Sequence, residues 1–146
     1  MKLKRCLVDI IYKNKLCITE NPFGTKRLWP YSYVEYFYND FCNRLIKKNN
    51  SPNILEINQT NKLNLKMWEL FFDEPKIEEF MVEKVISKNF KKNFKYDLVI
   101  INNDNFFSEK IIINKLICSL KPEGTLVVEN IGYQTKEVLK LYLNNF

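Results

Sequence analysis

The chain has no histidine and only three glycines among its 146 residues, and its four cysteines, Cys6, Cys17, Cys42 and Cys118, include no C-x-x-C pair. Without imidazole or a cysteine pair a zinc site lacks its usual ligands, so reduced, packed thiols are the expectation. The missing histidine also removes the side chain that titrates nearest neutrality. Any general base would then be a carboxylate, a lysine, a tyrosine or a bound water. Long apolar runs are missing too, and none approaches the ~20 residues that span a bilayer. Met1-Lys2-Leu3-Lys4-Arg5 opens as a signal peptide does, but Asp9, Lys13 and Lys15 interrupt the chain before an apolar region develops. A cytoplasmic protein with no membrane contact is expected.

Hydrophobic residues make up 46% of the chain and aromatic residues 14%, which suffices for the core of one domain. Residues 1–50 hold 10 Lys/Arg against 4 Asp/Glu, and residues 51–146 hold 13 against 13, so the whole net charge of +6 lies in the first third. One domain over residues 1–146 is expected: a basic hairpin and aromatic helix in 1–50, then an α/β core in 51–146. Leu7–Tyr12 and Lys15–Thr19, either side of Lys13-Asn14, read as the two strands of the hairpin. From Ser32 to Lys48, Tyr33, Val34, Tyr36, Phe37, Phe41 and Leu45 share one side of a helix. That side could pack on a sheet, or it could cover a site, with Tyr31 or Tyr33 stacking on a substrate.

The core is organised around Asn53–Trp68. Ile54–Ile57 is a short apolar run, as in a strand buried on both faces of a parallel sheet. Leu63, Met67, Leu70 and Phe71 then recur at helical spacing, so the unit reads strand, tight loop, helix. This is the ligand-binding corner of a Rossmann-like, doubly wound, mostly parallel sheet. Further strands are expected at Lys76–Val82, from Tyr96, and over Lys121–Asn130. Ser108 is placed to cap a helix with Ile112, Leu116, Ile117 and Leu120 on its buried stripe, and a last helix is expected from Thr135 to Asn144. Val85–Phe94 has room for one short helix or an irregular crossover, so the sheet is shortened by an edge strand.

Ile54-Leu55-Glu56-Ile57, Leu65-Lys66-Met67-Trp68, Tyr96-Asp97-Leu98-Val99-Ile100-Ile101 and Leu120-Lys121-Pro122-Glu123-Gly124-Thr125-Leu126-Val127-Val128-Glu129 resemble the motifs of small class I S-adenosylmethionine-dependent methyltransferases, of the sugar and macrolide O-methylating kind. The resemblance covers most of residues 24–130. It implies a cofactor held by Glu56, Asn58, Thr60, Asn61, Glu83, Asn102 and Asn103, an acid or base at Asp104 or Glu129, and a small hydroxylated, sugar-like acceptor near Tyr31 and Tyr33. The chain departs from the family where its chemistry lies. Asn58 and Asn61 stand in place of loop glycines, and asparagine is the residue after glycine that best tolerates left-handed angles. Met81 stands where the family has an acid that bonds the ribose hydroxyls, and a thioether is a weak acceptor. Glu83 could substitute if the strand continued, since strand side chains repeat with period two. Asn102 and Asn103 replace a carboxylate pair, so no tight metal site is expected.

The leading expectation is a methyltransferase-like protein that binds S-adenosylmethionine with weakened or absent catalysis. The alternative is a non-catalytic scaffold or regulatory subunit that binds a protein partner or a second copy of itself. A basic nucleic-acid-binding module ranks last, because Lys2, Lys4, Arg5, Lys26 and Arg27 are scattered.

Overall fold

The computed structural model describes residues 5–28, 33–59, 62–87, 90, 93, 95–102 and 110–129, the side chains of Tyr36 and Lys110 excepted. Two compact units divide the chain, Met1–Pro52 with Thr60–Lys76, and Asn53–Gln59 with Ile77–Phe146. The expected final helix from Thr135 to Asn144 and the capping Ser108 lie outside the described residues.

The second unit carries an α/β fold. Its two most apolar runs, β1 (Asn53–Ile57) and β3 (Tyr96–Asn102), pair in parallel from Ile54 opposite Leu98 to Ile57 opposite Ile101. β2 (Lys76–Phe80) lies outside β1 and β4 (Leu120–Glu129) outside β3, giving a four-stranded, all-parallel sheet in the order β2-β1-β3-β4. Parallel strands need cover on both faces, which is why the paired runs Ile54–Ile57 and Leu98–Ile101 are aliphatic except at Glu56. On one side Leu55, Ile57, Val99 and Ile101 pack with Val82 and Val85 of α4 (Val82–Ile86) and with Ile112, Ile113 and Leu116 of α5 (Lys110–Ile117). α5 ends earlier than its sequence stripe implied: Leu120 begins β4, and Ile113 replaces Ile117 as the buried neighbour of Ile112.

β4 enters the sheet through a bulge. Tyr96 pairs with Leu120 and Leu98 with Thr125, so Lys121–Gly124 are accommodated opposite a single residue of β3. The strain is taken by Glu123, which is left-handed at φ 64°, and by Gly124. A Cβ on Gly124 would lie 2.9 Å from the carbonyl oxygens of Lys121 and Tyr96.

The first unit is helical, which corrects the N-terminal hairpin. Residues Leu7–Lys13 form helix α1, because Leu7 and Ile11, four residues apart, are both fully buried. The run alternates too little for a strand, and its apolar period is the helical one. Cys17 makes only an isolated parallel bridge, to Thr25. The aromatic helix forms, but starts as a π turn at Val34–Tyr38 before continuing as α2 (Asn39–Lys48). Its buried line is Val34, Tyr38, Cys42 and Ile46, one position round from the expected aromatic side. Phe37 is exposed and stacks on the half-buried Phe41 at 5.3 Å. In α3 (Leu63–Phe71) the buried set is Asn64, Met67, Trp68 and Phe71, with Leu70 exposed. Arg27, itself buried, lies over the rings of Tyr38 and Trp68 at 5.3 and 5.4 Å. Burial pushes the Cys42 thiol well above its ordinary value, against the charge of Arg27, so it behaves as a small apolar residue.

Gly124→Ala is expected to destabilise the chain by about 1–3 kcal/mol, the usual cost of overpacking against atoms that cannot move away. Urea unfolding measures it, and an unchanged midpoint would mean that the bulge relaxes around a methyl group.

Candidate functional site

In an open parallel sheet a ligand binds outside the carboxyl ends of the strands, where the strand order reverses. Here the reversal falls between β1 and β3 of the second unit. The residue immediately after β1 is Asn58, left-handed at φ 58° and only 4% exposed. Its backbone N–H donates to the Phe80 carbonyl at 3.0 Å, and its side-chain Oδ1 accepts from the Val82 N–H at 2.9 Å. The asparagine therefore makes the turn expected of it, but its oxygen binds the first amide of α4 rather than facing an open loop.

Next to it the Gln59 amide donates to Glu129 Oε2 at 3.2 Å. Glu129 is buried at the end of β4, opposite Asn102, the last residue of β3. Glu56 is fully buried in β1, in register with Ile100. Its charge adds to desolvation, the larger cause, in raising the Glu79 carboxyl of β2 above the ordinary range. Glu56, Asn58, Asn102 and Glu129 thus all lie in or just beyond β1, β3 and β4, the strands expected to carry them.

Glu83 does not. β2 stops at Phe80, and Glu83 is an exposed residue of α4, so strand alternation does not relate it to Met81. Met81, which the resemblance aligns with an acid, is 56% exposed. Thr60, Asn61, Asn103 and Asp104 lie outside the described residues, as does Tyr31. Tyr33 is half-buried at the start of the π turn, in the first unit. Among the described residues no group of three or more His, Cys, Asp or Glu could hold a metal ion, and no helix is long and apolar enough to cross a membrane.

The sequence reading missed a polar network in the second unit. Lys95 Nζ reaches both oxygens of Glu78 at 2.9 Å, and the Tyr96 hydroxyl donates to the same carboxylate. Desolvation would raise Glu78, but the hydrogen bonds from Tyr96 and Lys95 and the charges of Lys95 and Lys84 hold it below the usual carboxylate range. Burial, and then the bond to Glu78 and its charge, push the Tyr96 phenol up. Nothing in the spacing of Glu78, Lys95 and Tyr96 announces this, because strands β2 and β3 bring them together across β1. Lys115 is a second such case: its ammonium binds the carbonyls of Val85, Ile86 and Ser87 at 3.0, 2.9 and 3.1 Å and so closes the carboxyl end of α4.

No protein-family model, no curated protein and no solved structure matches this chain. Function has therefore to be argued from the residues themselves.

Asn58→Gly keeps the left-handed turn and loses the bond to Val82, whereas Asn58→Ala loses both. The alanine variant is expected to be the less stable by about 1 kcal/mol, the penalty of a left-handed Cβ, and equal urea midpoints would show the turn to be unstrained. A carboxyl held low in the folded state contributes stability above its unfolded value near ~4.3, and that stability is lost as pH falls through the folded value. Stability of Glu78→Gln is accordingly expected to vary less than that of the parent between about pH 5 and pH 3. Parallel pH slopes would remove Glu78 from the acid transition.

Proposed function

We propose that this chain is an S-adenosylmethionine-dependent methyltransferase-like protein with weakened or absent catalysis. The observation that supports this most is Asn58, at the reversal of strand order between β1 and β3. It makes the left-handed turn that the family makes with glycine, in a parallel sheet of the order a shortened member would have. The same residue argues against an efficient site. Its side-chain oxygen is engaged by Val82, Gln59 is engaged by Glu129, and Met81 offers no carboxylate to a ribose. The residues present fit the main-chain turn around the cofactor and not its sugar, so no chemical step is derived through it. A small hydroxylated acceptor, with Glu129 or Asp104 taking its proton, belongs to the active version of this proposal.

The second reading is a non-catalytic scaffold or regulatory subunit that binds a protein partner or a second copy of the chain. The self-satisfied polar groups at the carboxyl ends favour it, since a site kept for ligand would leave donors and acceptors to meet one.

Isothermal titration with S-adenosylmethionine and S-adenosylhomocysteine separates the two. On the first reading binding is expected, with thermal stabilisation of ~2.7 kcal/mol at a hundred times the dissociation constant, and no heat with no thermal shift at millimolar ligand would sink it and leave the scaffold. Micromolar binding abolished by Asn58→Trp would support a cofactor site at this loop and justify a search for the methyl acceptor. Sedimentation then tests the scaffold, for which a dimer or a co-purifying partner is expected and a strict monomer counts against it.

A further inference from the structure

A depression of about 190 Å3 opens to solvent beside the core of the second unit, lined by none of the residues of the carboxyl-end site. Three of its seven lining residues are aromatic and four are polar or charged. The rings of Phe80 and Phe90 meet edge to face, 6.3 Å apart at 88°, and Tyr96 adds a third ring. It contains one carboxylate and two ammonium groups. Glu78 is saturated from within, by Lys95 on both oxygens and by the Tyr96 hydroxyl. Lys84 differs: its Nζ lies 3.6 Å from the centre of the Phe80 ring, and among the described residues no carboxylate stands within ion-pair distance of it. A cation over a ring face is held in place by the ring quadrupole, yet its three N–H donors find no acceptor there. The depression therefore combines three aromatic rings with one positive charge in excess, carried on the exposed side of α4.

We infer that this depression binds a small aromatic monocarboxylate, its ring against Phe80, Phe90 and Tyr96 and its carboxylate on Lys84. Size agrees with this class. An apolar cavity of about 150 Å3 admits benzene, so a space of this size suits a single ring. A nucleotide or a drug-sized molecule needs roughly 300 Å3 or more. An aromatic cage for a cationic ligand is the other chemistry such walls could serve. It is disfavoured because the lining already carries two ammonium groups, Lys84 and Lys95, against the one carboxylate of Glu78, and so repels a further cation.

The experiment is a titration of the full 15N-labelled chain with benzoate at constant ionic strength, followed by amide chemical shifts. Acetate, benzamide and benzylammonium are run beside it. Saturable shifts are expected for benzoate around residues 78–84 and 95–96, with no saturation by acetate. The dissociation constant should rise by about fivefold or more for benzamide and for Lys84→Gln, the scale of one exposed charged contact. Lys84 is exposed on α4, so the variant should keep its fold, which the same spectrum verifies. Three outcomes would overturn the inference: no saturable shifts, acetate saturating as well as benzoate, or benzylammonium binding more tightly. None of these bears on the carboxyl-end crevice, because S-adenosylmethionine is absent throughout.

Discussion

The parallel ladder between β1 and β3 is the constraint on which the second unit depends. Ile54–Ile57 and Leu98–Ile101 are buried along their whole length, so a slip of one residue would exchange every inward and outward side chain. Asp97 holds the register at the amino end. Its Oδ2 accepts from the Asn53 N–H of β1 and from Lys121 Nζ of β4, both at 2.8 Å, while Asn53 Nδ2 donates to the Lys95 carbonyl at 3.0 Å. One carboxylate on β3 thus ties down the starts of both neighbouring strands. Asn58 plays the matching part at the other end, joining the close of β1 to the start of α4.

Polar groups in this unit are mostly satisfied by the chain itself, and that decides how its chemistry should be read. Asn58, Gln59 and Glu129 bond one another or the backbone at the carboxyl ends. Glu78 is neutralised in the same way. Lys84 is the contrasting group, held by a ring and not by an anion. Buried hydrogen-bonded groups stabilise a fold, and an ammonium with no carboxylate in contact keeps its donors for a ligand.

The parallel sheet was legible because its signal is local. Ile54–Ile57 and Leu98–Ile101 are short runs buried along their length, as in strands covered on both faces, and Leu126–Val128 is a partly buried run beside them. Asn58 was legible too, since few residues other than glycine take its backbone angles. Leu7–Lys13 misled because Leu7, Ile10, Ile11 and Tyr12 are as common in strands as in helices, and the burial of Leu7 and Ile11 four apart decides between them. The aromatic helix was found with its face one residue out, as its π turn shifts the phase of everything after Tyr38. Glu83 was misplaced by a single boundary: strand alternation was carried past Phe80 into a helix. The Glu78, Lys95 and Tyr96 network was invisible, for no local period links residues that meet only through the strand order.

The two units are interleaved along the chain, since Asn53–Gln59 of the second is bracketed by Met1–Pro52 and Thr60–Lys76 of the first. During synthesis the first unit has all its residues once Lys76 has been made. β1 by then has been waiting as an unpaired central strand, and its partner β3 lies 44 residues further along, the separation of Asn53 from Asp97. Pairing across that distance costs loop-closure entropy that a single helix of the first unit does not. The exposed edges of β1 are consequently a hazard of biosynthesis, and a ribosome that pauses between Lys76 and Asn102 would prolong it.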